Sequence, residues 1–423
     1  MRRYGLPLTL LALASMPALA NTDVYGRVIT DGARLLPLDA PSAAPATIEG
    51  DPTFTLLPYT ARATDSWPDG VVIGDVSGDG RNDVVMVTSY YFSPEADFHL
   101  FLFKQGSNGV LQAPESQPYG QKTDVPGIAI ADLDGQHGLD IAVGGADGIT
   151  PFLATAAGGL SPRPIVMSGP VNSIVPITLT ATGRMDLLGT SYEAEGSFFY
   201  NNGAGGLTPA PWIAPNCCAR GYAVGDLNND GKEDLILSTR PVYPQAALVH
   251  PYLNEFDGAF TPLPTLSAVC GWLEISDMDI GDVTGDGIAD IVTVGGGNRP
   301  NTCVQVFAGL EGGGFAAPTT YPTYDIPQTV VVTDINTDGR DDVVVLHGGW
   351  LALGVYLQGT EGFLGFETRY PIPYASSYQT NGLAVADFSG DGCPDAAIAD
   401  YNHGLVTLEG RGCVGRIFED GFE

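Results

Sequence analysis

The sequence predicts an all-β protein, a seven-bladed β-propeller of four-stranded antiparallel blades. Three observations predict it: an Asp-rich motif returns along the chain, short apolar segments flank each copy, and a Gly-containing hairpin follows. The copies begin at residues 75, 132, 178, 226, 282, 334 and 387. Their spacing of about 50 residues is the length of one propeller blade.

The segments around each motif have the character of strands. In the first copy, Val71–Ile73 precedes the motif and Val84–Val87 follows it, both apolar and rich in β-branched residues. Such runs are typical of strands that are buried on both faces. Further on, an alternating segment, a Gly turn and another strand predict a hairpin. Each repeat is therefore strand A, Asp loop, strand B, loop, strand C, Gly turn and strand D.

The two ends of the repeat array predict how the ring closes. The last repeat ends after its strand C, Gly404–Leu408, and has no clear strand D. The segment Thr53–Tyr59 precedes the first motif and has the character of the D segments elsewhere. We expect this N-terminal strand to complete the seventh blade, because closure removes the open edge of a sheet.

Composition limits the partners. The chain has 423 residues, 49 Asp+Glu against 18 Lys+Arg, and a formal net charge of -31. The apolar fraction of 44% is enough for a packed core. The acidic excess disfavours nucleic acid, whose phosphates would be repelled, and docking on anionic lipid.

The N-terminus has the pattern of an export signal. Arg2 and Arg3 precede an apolar run, and Ala18–Ala20 predicts cleavage before Asn21. No apolar run is long enough for a membrane span. We expect a secreted, periplasmic or extracellular monomer. The predicted divisions are a signal peptide (1–20), a lead-in (21–52), the propeller (53–413) and a tail (414–423).

The Asp motif has the chemistry of a cation loop. It places acids at positions 1, 5 and 9, an oxygen-bearing residue at 3, and a Gly for the sharp turn at 6. Carboxylates crowded into one turn repel each other without a counter-ion, and an all-oxygen shell suits Ca²⁺. Five loops fit, which predicts five Ca²⁺ sites held by Asp75, Ser77, Asp79, Asp83, Asp226, Asn228, Asp230, Asp234, Asp282, Thr284, Asp286, Asp290, Asp334, Asn336, Asp338, Asp342, Asp387, Ser389, Asp391 and Asp395.

Two loops depart from this pattern. In blade 2, His137 stands where the Gly should be, so a sixth Ca²⁺ site there is left open. Its ligands would be Asp132, Asp134, Gln136 and Asp140. In blade 3, the loop that begins at Thr178 lacks the acids at positions 1 and 5 and is expected to bind no metal.

These loops resemble the calcium-binding FG-GAP/VCBS-type repeats of the integrin α-subunit propeller and of many secreted bacterial propellers. The resemblance covers roughly Phe54 to Cys413. It implies a seven-bladed propeller with calcium in the A–B loops of one face. Some related propellers are catalytic, so it does not by itself exclude an enzyme.

The propeller topology predicts two disulfides. A–B and C–D turns share one face, which places Cys393 and Cys413 together. B–C and D–A loops share the other face, which places Cys270 near Cys303. The remaining Cys217 and Cys218 are adjacent, and form either a vicinal disulfide or a pair of free thiols.

The face opposite the Asp loops is the predicted ligand face. Aromatic side chains with a few cations are typical of surfaces that bind sugars or proteins. The candidates are Trp67, Tyr90, Tyr91, Tyr192, Arg240, Tyr243, Trp272, Arg299, Trp350 and Tyr401. The residues favour a noncatalytic module that binds carbohydrate or protein. The alternatives are a calcium-dependent polysaccharide lyase or glycosidase, and a cell-surface adhesion component. The five His are scattered over the blades, with no catalytic motif around them.

Overall fold

The computed structural model describes residues 54–90, 93, 95–191, 196–212, 219–239, 246–270, 275–295, 297–348, 351–373 and 380–413. The predicted signal peptide, lead-in and tail lie outside the described residues. Within the described residues, almost all regular structure is β, and a short 3₁₀ turn spans Thr380–Gly382. Among the described residues, no helix has the length and apolar character that crossing a membrane requires.

Seven antiparallel sheets follow one another along the chain, as the repeat predicts. Blade 1 contains β3 (Pro68–Gly74), β4 (Asp83–Thr88), β5 (His99–Phe103) and β6 (Glu115–Pro118). Blade 2 contains β7 (Ile128–Ala131), β8 (Asp140–Gly144), β9 (Gly148–Ala154), β10 (Leu160–Pro162) and β11 (Val166–Met167). Blade 3 contains β12 (Ser173–Ile177), β13 (Asp186–Thr190), β14 (Gly196–Asn201) and β15 (Leu207–Trp212). Blade 4 contains β16 (Ala219–Gly225), β17 (Asp234–Thr239), β18 (Leu248–Asn254), β19 (Phe260–Pro262) and β20 (Leu266–Ser267).

The remaining blades keep the same strand order. Blade 5 contains β21 (Ile275–Gly281), β22 (Asp290–Gly295), β23 (Cys303–Phe307) and β24 (Thr319–Pro322). Blade 6 contains β25 (Pro327–Thr333), β26 (Asp342–His347), β27 (Ala352–Tyr356) and β28 (Thr368–Pro371). Blade 7 contains β29 (Leu383–Ala386), β30 (Asp395–Asp400), β31 (Gly404–Leu408) and the N-terminal β2 (Thr60–Arg62). A separate two-stranded ladder pairs β1 (Thr55–Leu56) with β32 (Gly410–Arg411).

The ring is closed by the N-terminal segment, but at a different position from the one predicted. The outer strand of blade 7 is β2, where Ala61 lies opposite Val406, and not the segment Thr53–Tyr59. Within that segment, Thr55 and Leu56 pair instead with β32. Pro58 lies between the two ladders and has no N–H to donate, so one strand cannot run unbroken through both.

Proline also explains why blades 2 and 4 have a divided outer strand. In blade 2 both β10 and β11 pair with β9, and Pro164 lies between them. In blade 4 both β19 and β20 pair with β18, and Pro264 lies between them. A Pro removes a ladder hydrogen bond, and the edge of a sheet tolerates this loss.

The core lies between neighbouring blades. Every residue of β4 and β26 is buried, as expected for a strand covered on both faces. One cluster joins Val292 of blade 5 to Val343 of blade 6, and another joins Val84 of blade 1 to Leu405 of blade 7. Burial of this apolar surface stabilises the ring at about 25 cal/mol per Å².

Candidate functional site

All seven A–B loops share one backbone feature. The residue at position 6 has a positive φ in each copy, from Gly183 at 70° to Gly392 at 90°. Blade 2 has no Gly there, yet His137 takes the same conformation at 67°. A non-Gly residue in this region costs about 1 kcal/mol or more, so the surrounding loop must impose it. The His substitution therefore leaves the turn intact.

The Asp at position 9 is buried in every blade. Its carboxylate accepts an N–H from the last residue of strand C or from the second residue beyond it, over 2.7 to 2.9 Å. Six copies also accept an N–H from positions 2 or 3 of their own loop, as when Asp234 accepts that of Leu227 at 2.9 Å. The seven residues are Asp83, Asp140, Asp186, Asp234, Asp290, Asp342 and Asp395. Position 9 therefore braces the loop against strand C, a role that the sequence pattern did not reveal.

Blade 6 differs at this position. Asp342 accepts the N–H of Gln358 with Oδ1, but its buried Oδ2 has no hydrogen-bond partner. The N–H of Ile335 approaches the carboxylate without reaching hydrogen-bonding geometry at Oδ2. In blade 1, the buried Oγ of Ser77 likewise has no partner. Both are predicted metal-ligand atoms, and a buried oxygen without a partner is what a cation would satisfy.

The Asp at position 1 organises the turn. In the five loops that match the motif fully, one of its oxygens accepts the N–H of the position-6 Gly over 2.7 to 2.8 Å. The other oxygen accepts earlier N–H groups, as Asp334 does from Asp338 at 2.9 Å. The backbone N–H groups therefore orient the position-1 carboxylates before any cation binds.

The Asp at position 5 has a cationic neighbour in four loops. Asp79 pairs with Arg81, Asp338 with Arg340, and Lys232 reaches Asp230 at 3.0 Å. In blade 7 the partner is Arg411 of β32. Each of these Lys or Arg side chains reduces the repulsion among the loop carboxylates. When a metal binds, the side chain would have to turn outward or share the Asp carboxylate with the metal.

Burial raises the pKa of the position-9 acids. Burial, followed by the neighbouring Asp338 and Asp334, raises the pKa of Asp342 to about 8. Burial also raises the pKa of Asp234, Asp290 and Asp395 to about 6. Such shifts mark carboxylates whose charged form a nearby cation would stabilise.

Blade 2, which the sequence left open, brings three carboxylates together. One oxygen each of Asp132, Asp134 and Asp140 lies within 4.8 Å of the others. Gln136 is exposed and donates its backbone N–H to Asp134 at 2.9 Å. Blade 3 keeps only Asp186; Thr182 stands at position 5, where the five matching loops carry an Asp, and its hydroxyl lies 2.7 Å from that of Thr180. The residues present in blade 3 do not form a carboxylate cage.

Position 8 links each of several loops to the blade before it. Glu233 of blade 4 accepts the N–H of Thr178 in blade 3 at 2.6 Å, and Asp341 of blade 6 accepts that of Asp282 at 2.9 Å. Asn82 of blade 1 donates to the carbonyl of Asp387 at 2.9 Å, across the ring closure. These contacts join neighbouring loops into one surface.

Both predicted disulfides are present. Cys270 is bonded to Cys303, and Cys393 to Cys413. The second joins the blade 7 Asp loop to the segment that follows β32, beside the ring closure. Cys217 and Cys218 lie outside the described residues.

The opposite face has one aromatic pair from the predicted set. Trp67 and Tyr401 stack with ring centroids 4.3 Å apart, where the connection into blade 1 meets the B–C turn of blade 7. Tyr90 is exposed and stacks on Phe98 at 5.9 Å. Arg299 pairs with Asp325 at 3.3 Å. The other candidates, Tyr91, Tyr192, Arg240, Tyr243, Trp272 and Trp350, lie outside the described residues.

Two His residues on this face have carboxylate partners that the sequence did not indicate. His403 Nδ1 lies 2.9 Å from Asp400 Oδ1, beside Tyr401. The fully buried His347 places Nε2 2.6 Å from Oε1 of the partly buried Glu367. Burial raises the pKa of Asp400, and the bond to His403 partly offsets it. Asp400 and His403 lie in one turn, so their spacing in the sequence was a signal for that pair. Glu367 comes from the hairpin that follows His347, and no local pattern indicated it.

Comparisons with known proteins agree with the repeat. A family model of the FG-GAP-like repeat matches residues 179–237, 282–345 and 334–398. The chain therefore contains FG-GAP-like repeats, arranged as a β-propeller. No curated protein matches the chain.

Solved structures share the fold at low sequence identity. One is described as recognition of non-reducing terminal N-acetylglucosamine by an Agrocybe aegerita lectin, with 19% identity and a TM-score of 0.53. The match covers 74% of this chain and 82% of that one. Another is described as BBS1N in complex with ARL6DN, with 10% identity and a TM-score of 0.54. It covers 85% of this chain and 97% of that one. At these identities the likeness shows the fold alone.

Proposed function

We propose that this protein is an exported, calcium-stabilised binding module that holds carbohydrate on the face opposite the Asp loops. The observation that carries the ligand assignment is the Trp67–Tyr401 stack beside the Asp400–His403 pair. Stacked aromatic rings offer a flat apolar surface to the C–H face of a sugar, and neighbouring polar groups select its hydroxyls.

Two further observations support this assignment. The Agrocybe aegerita lectin, which shares the fold, is described as recognising a terminal sugar. The two disulfides suit an oxidising compartment outside the cytosol. The BBS1N structure is described as a complex with ARL6DN, so a protein ligand is the alternative occupant of the same face.

Calcium is proposed as the stabilising ion of the Asp loops. Positions 1, 3, 5 and 9 of blades 1, 4, 5, 6 and 7 would hold it, and the blade 2 acids Asp132, Asp134 and Asp140 could hold a sixth ion. The buried, unpartnered Asp342 Oδ2 and Ser77 Oγ support the fit. Bound calcium would neutralise the loop carboxylates and supply no chemistry to the opposite face.

Binding of the purified protein to an array of immobilised oligosaccharides tests the ligand assignment. We expect Trp67→Ala and Tyr401→Ala each to reduce binding about tenfold or more, because each removes a stacking surface. Phe366→Ala is the matched control, since Phe366 is 94% exposed in a C–D turn on the Asp-loop face. Equal loss in all three variants, or binding of proteins but no glycan, would contradict the assignment.

The Asp400–His403 pair favours a polysaccharide-degrading enzyme as the second candidate. A His–carboxylate pair beside an aromatic stack has the elements of an acid–base site. The test is release of reducing ends or unsaturated products from polysaccharides, with His403→Ala as the variant. Turnover that His403→Ala abolishes, while glycan binding persists, would replace the noncatalytic proposal.

A further inference from the structure

We propose that Arg369, Tyr324 and Arg299 form an oxyanion subsite for the carboxylate or sulfate group of an acidic sugar. The subsite lies on the ligand face, between blades 5 and 6, and is distinct from the Trp67–Tyr401 stack. The saccharide assignment rests on the carbohydrate function proposed above, whereas the oxyanion site stands on its own geometry.

Three separate segments converge on one ring. Tyr324 lies in the connection from β24 to β25, Arg299 in the B–C loop of blade 5, and Arg369 on β28. The guanidinium carbon of Arg369 lies 4.4 Å from the centroid of the Tyr324 ring, and that of Arg299 lies 4.7 Å from it. Both distances are within the range of a cation–π contact. Two of the few cations of this acidic chain therefore share one aromatic side chain.

The two arginines differ in how they are neutralised. Arg299 is matched by Asp325, whose Oδ1 accepts from Nε and whose Oδ2 accepts from Nη2, both over 3.3 Å. Arg369 is exposed, and within the described part of the chain it has no ion pair and no side-chain hydrogen bond. A guanidinium held over an aromatic ring keeps five N–H donors along its edge. That edge matches the paired oxygens of a carboxylate or sulfate group.

The His347–Glu367 pair packs against the Tyr324 ring. The His347 ring meets Tyr324 edge-on, with centroids 5.6 Å apart at 80°. Its Nε2 contacts Glu367 Oε1 at 2.6 Å, and its Nδ1 contacts the Asp325 carbonyl at 3.1 Å. Glu367 directly precedes β28, two residues before Arg369, and side chains at that spacing in an extended chain lie on the same side. This support holds the guanidinium in place before a ligand arrives, which reduces the entropy lost on binding.

The net negative charge of the chain repels densely charged ligands more than ligands with isolated charges. A protein with a net charge of -31 repels densely charged polymers such as nucleic acids. A single carboxylate or sulfate on an otherwise neutral saccharide feels little of that repulsion and still meets the local cation. The favoured ligand is therefore a glycan with isolated acidic groups.

The test uses the intact mature protein labelled with ¹⁵N, observed through the arginine Nε–H signals. The probes are N-acetylglucosamine 6-sulfate with neutral N-acetylglucosamine, glucuronic acid with its methyl ester, and inorganic sulfate. The first two pairs distinguish a sulfate from a carboxylate source. We expect the signal that Arg369→Gln removes to shift with the acidic sugars, which should bind about tenfold tighter than their neutral partners.

Matched variants separate this site from general charge effects. Arg369→Gln should abolish the preference for the acidic sugar, and Arg369→Lys should retain only part of it, because lysine lacks the bidentate edge. Arg163→Gln is the control, since Arg163 is exposed and remote from Tyr324 in the fold. An unchanged preference in Arg369→Gln would overturn the proposal, as would equal losses in the Arg163 and Arg369 variants.

The remaining outcomes separate this inference from the carbohydrate function. Neutral sugars that bind while acidic ones show no preference would overturn the oxyanion subsite alone. Shifts of the Arg369 signal by inorganic sulfate, with no sugar bound, would overturn the saccharide assignment and leave an anion site. No shift with any probe would overturn both parts of the proposal.

Discussion

The Asp loops of blades 3 and 6 share a Gly turn at position 6 but differ in chemistry. Both turn through a Gly with positive φ, Gly183 at 70° and Gly339 at 84°. In blade 3, both oxygens of Asp186 are used, by Leu179 at 3.1 Å and Asn201 at 2.7 Å. In blade 6, one buried oxygen of Asp342 has no partner, and the pKa is raised further by two neighbouring acids. The comparison separates two roles: position 9 braces the fold in every blade, and positions 1 and 5 make a loop suitable for a cation.

The largest expected effect is the removal of calcium from all loops at once. A ligand at one hundred times its Kd stabilises the folded state by about 2.7 kcal/mol per site. We therefore expect excess EDTA to lower the Tm strongly, and calcium to restore it. Magnesium at equal concentration should restore less, because it demands a tighter octahedral shell. A Tm that is the same with EDTA and with calcium would show that the blade 6 type of loop needs no cation.

The next largest effect should come from blade 3 and should not depend on calcium. Asp186→Ala leaves the N–H groups of Leu179 and Asn201 without their acceptor, at about 1 to 3 kcal/mol each. Urea unfolding should show this loss equally with calcium and with EDTA. Asp186→Asn keeps one acceptor oxygen and should lose about half as much. A loss seen only with calcium would mean that blade 3 binds the ion after all.

A single-loop variant in blade 6 should show the reverse dependence. Asp338→Asn removes a predicted ligand and the partner of Arg340 but leaves the position-9 brace in place. We expect the variant to lose the stabilisation that calcium gives at one site, roughly 2.7 kcal/mol at saturating calcium. In EDTA the variant should lose less than this, because the pair with Arg340 is weakened while the repulsion between Asp338 and Asp342 is relieved. Calcium titration calorimetry should count one fewer site. An unchanged count would remove Asp338 from the ligand set.

The smallest effect concerns a buried acid outside the loops, Asp69 on β3. Burial raises its pKa to about 7, so the folded state holds a proton that the unfolded state releases near pH 4. Its contribution to stability is present at low pH and is lost as pH rises through 7. Between pH 6 and 8 we expect a loss of about 1.4 kcal/mol in the free energy of unfolding, even in excess calcium. Asp69→Asn should remove this slope, and a slope that persists would assign it to another group.

The sequence was sufficient for the repeat, the strand order and two cysteine pairs. Period and apolar patterning are local, and each blade is one unit that returns along the chain. Disulfide pairing followed because Cys393 and Cys413, like Cys270 and Cys303, fall in loops that the topology places on one face. The prediction that an N-terminal strand closes the ring was right, but the strand lies later in the chain than predicted. The reason is that the position of Pro58 relative to the ladder depends on packing.

Only the tertiary structure decided what individual side chains do. The Asp at position 9 looked like a metal ligand in sequence, but its role as a brace depends on an N–H that arrives from strand C, 14 to 22 residues away. The Arg369–Tyr324–Arg299 cluster draws on three segments of two blades, so no local pattern could reveal it. Sequence determines which residues can form strands and turns, because those preferences are local. Which polar groups meet, and which remain without partners, is decided by how the blades pack around the ring.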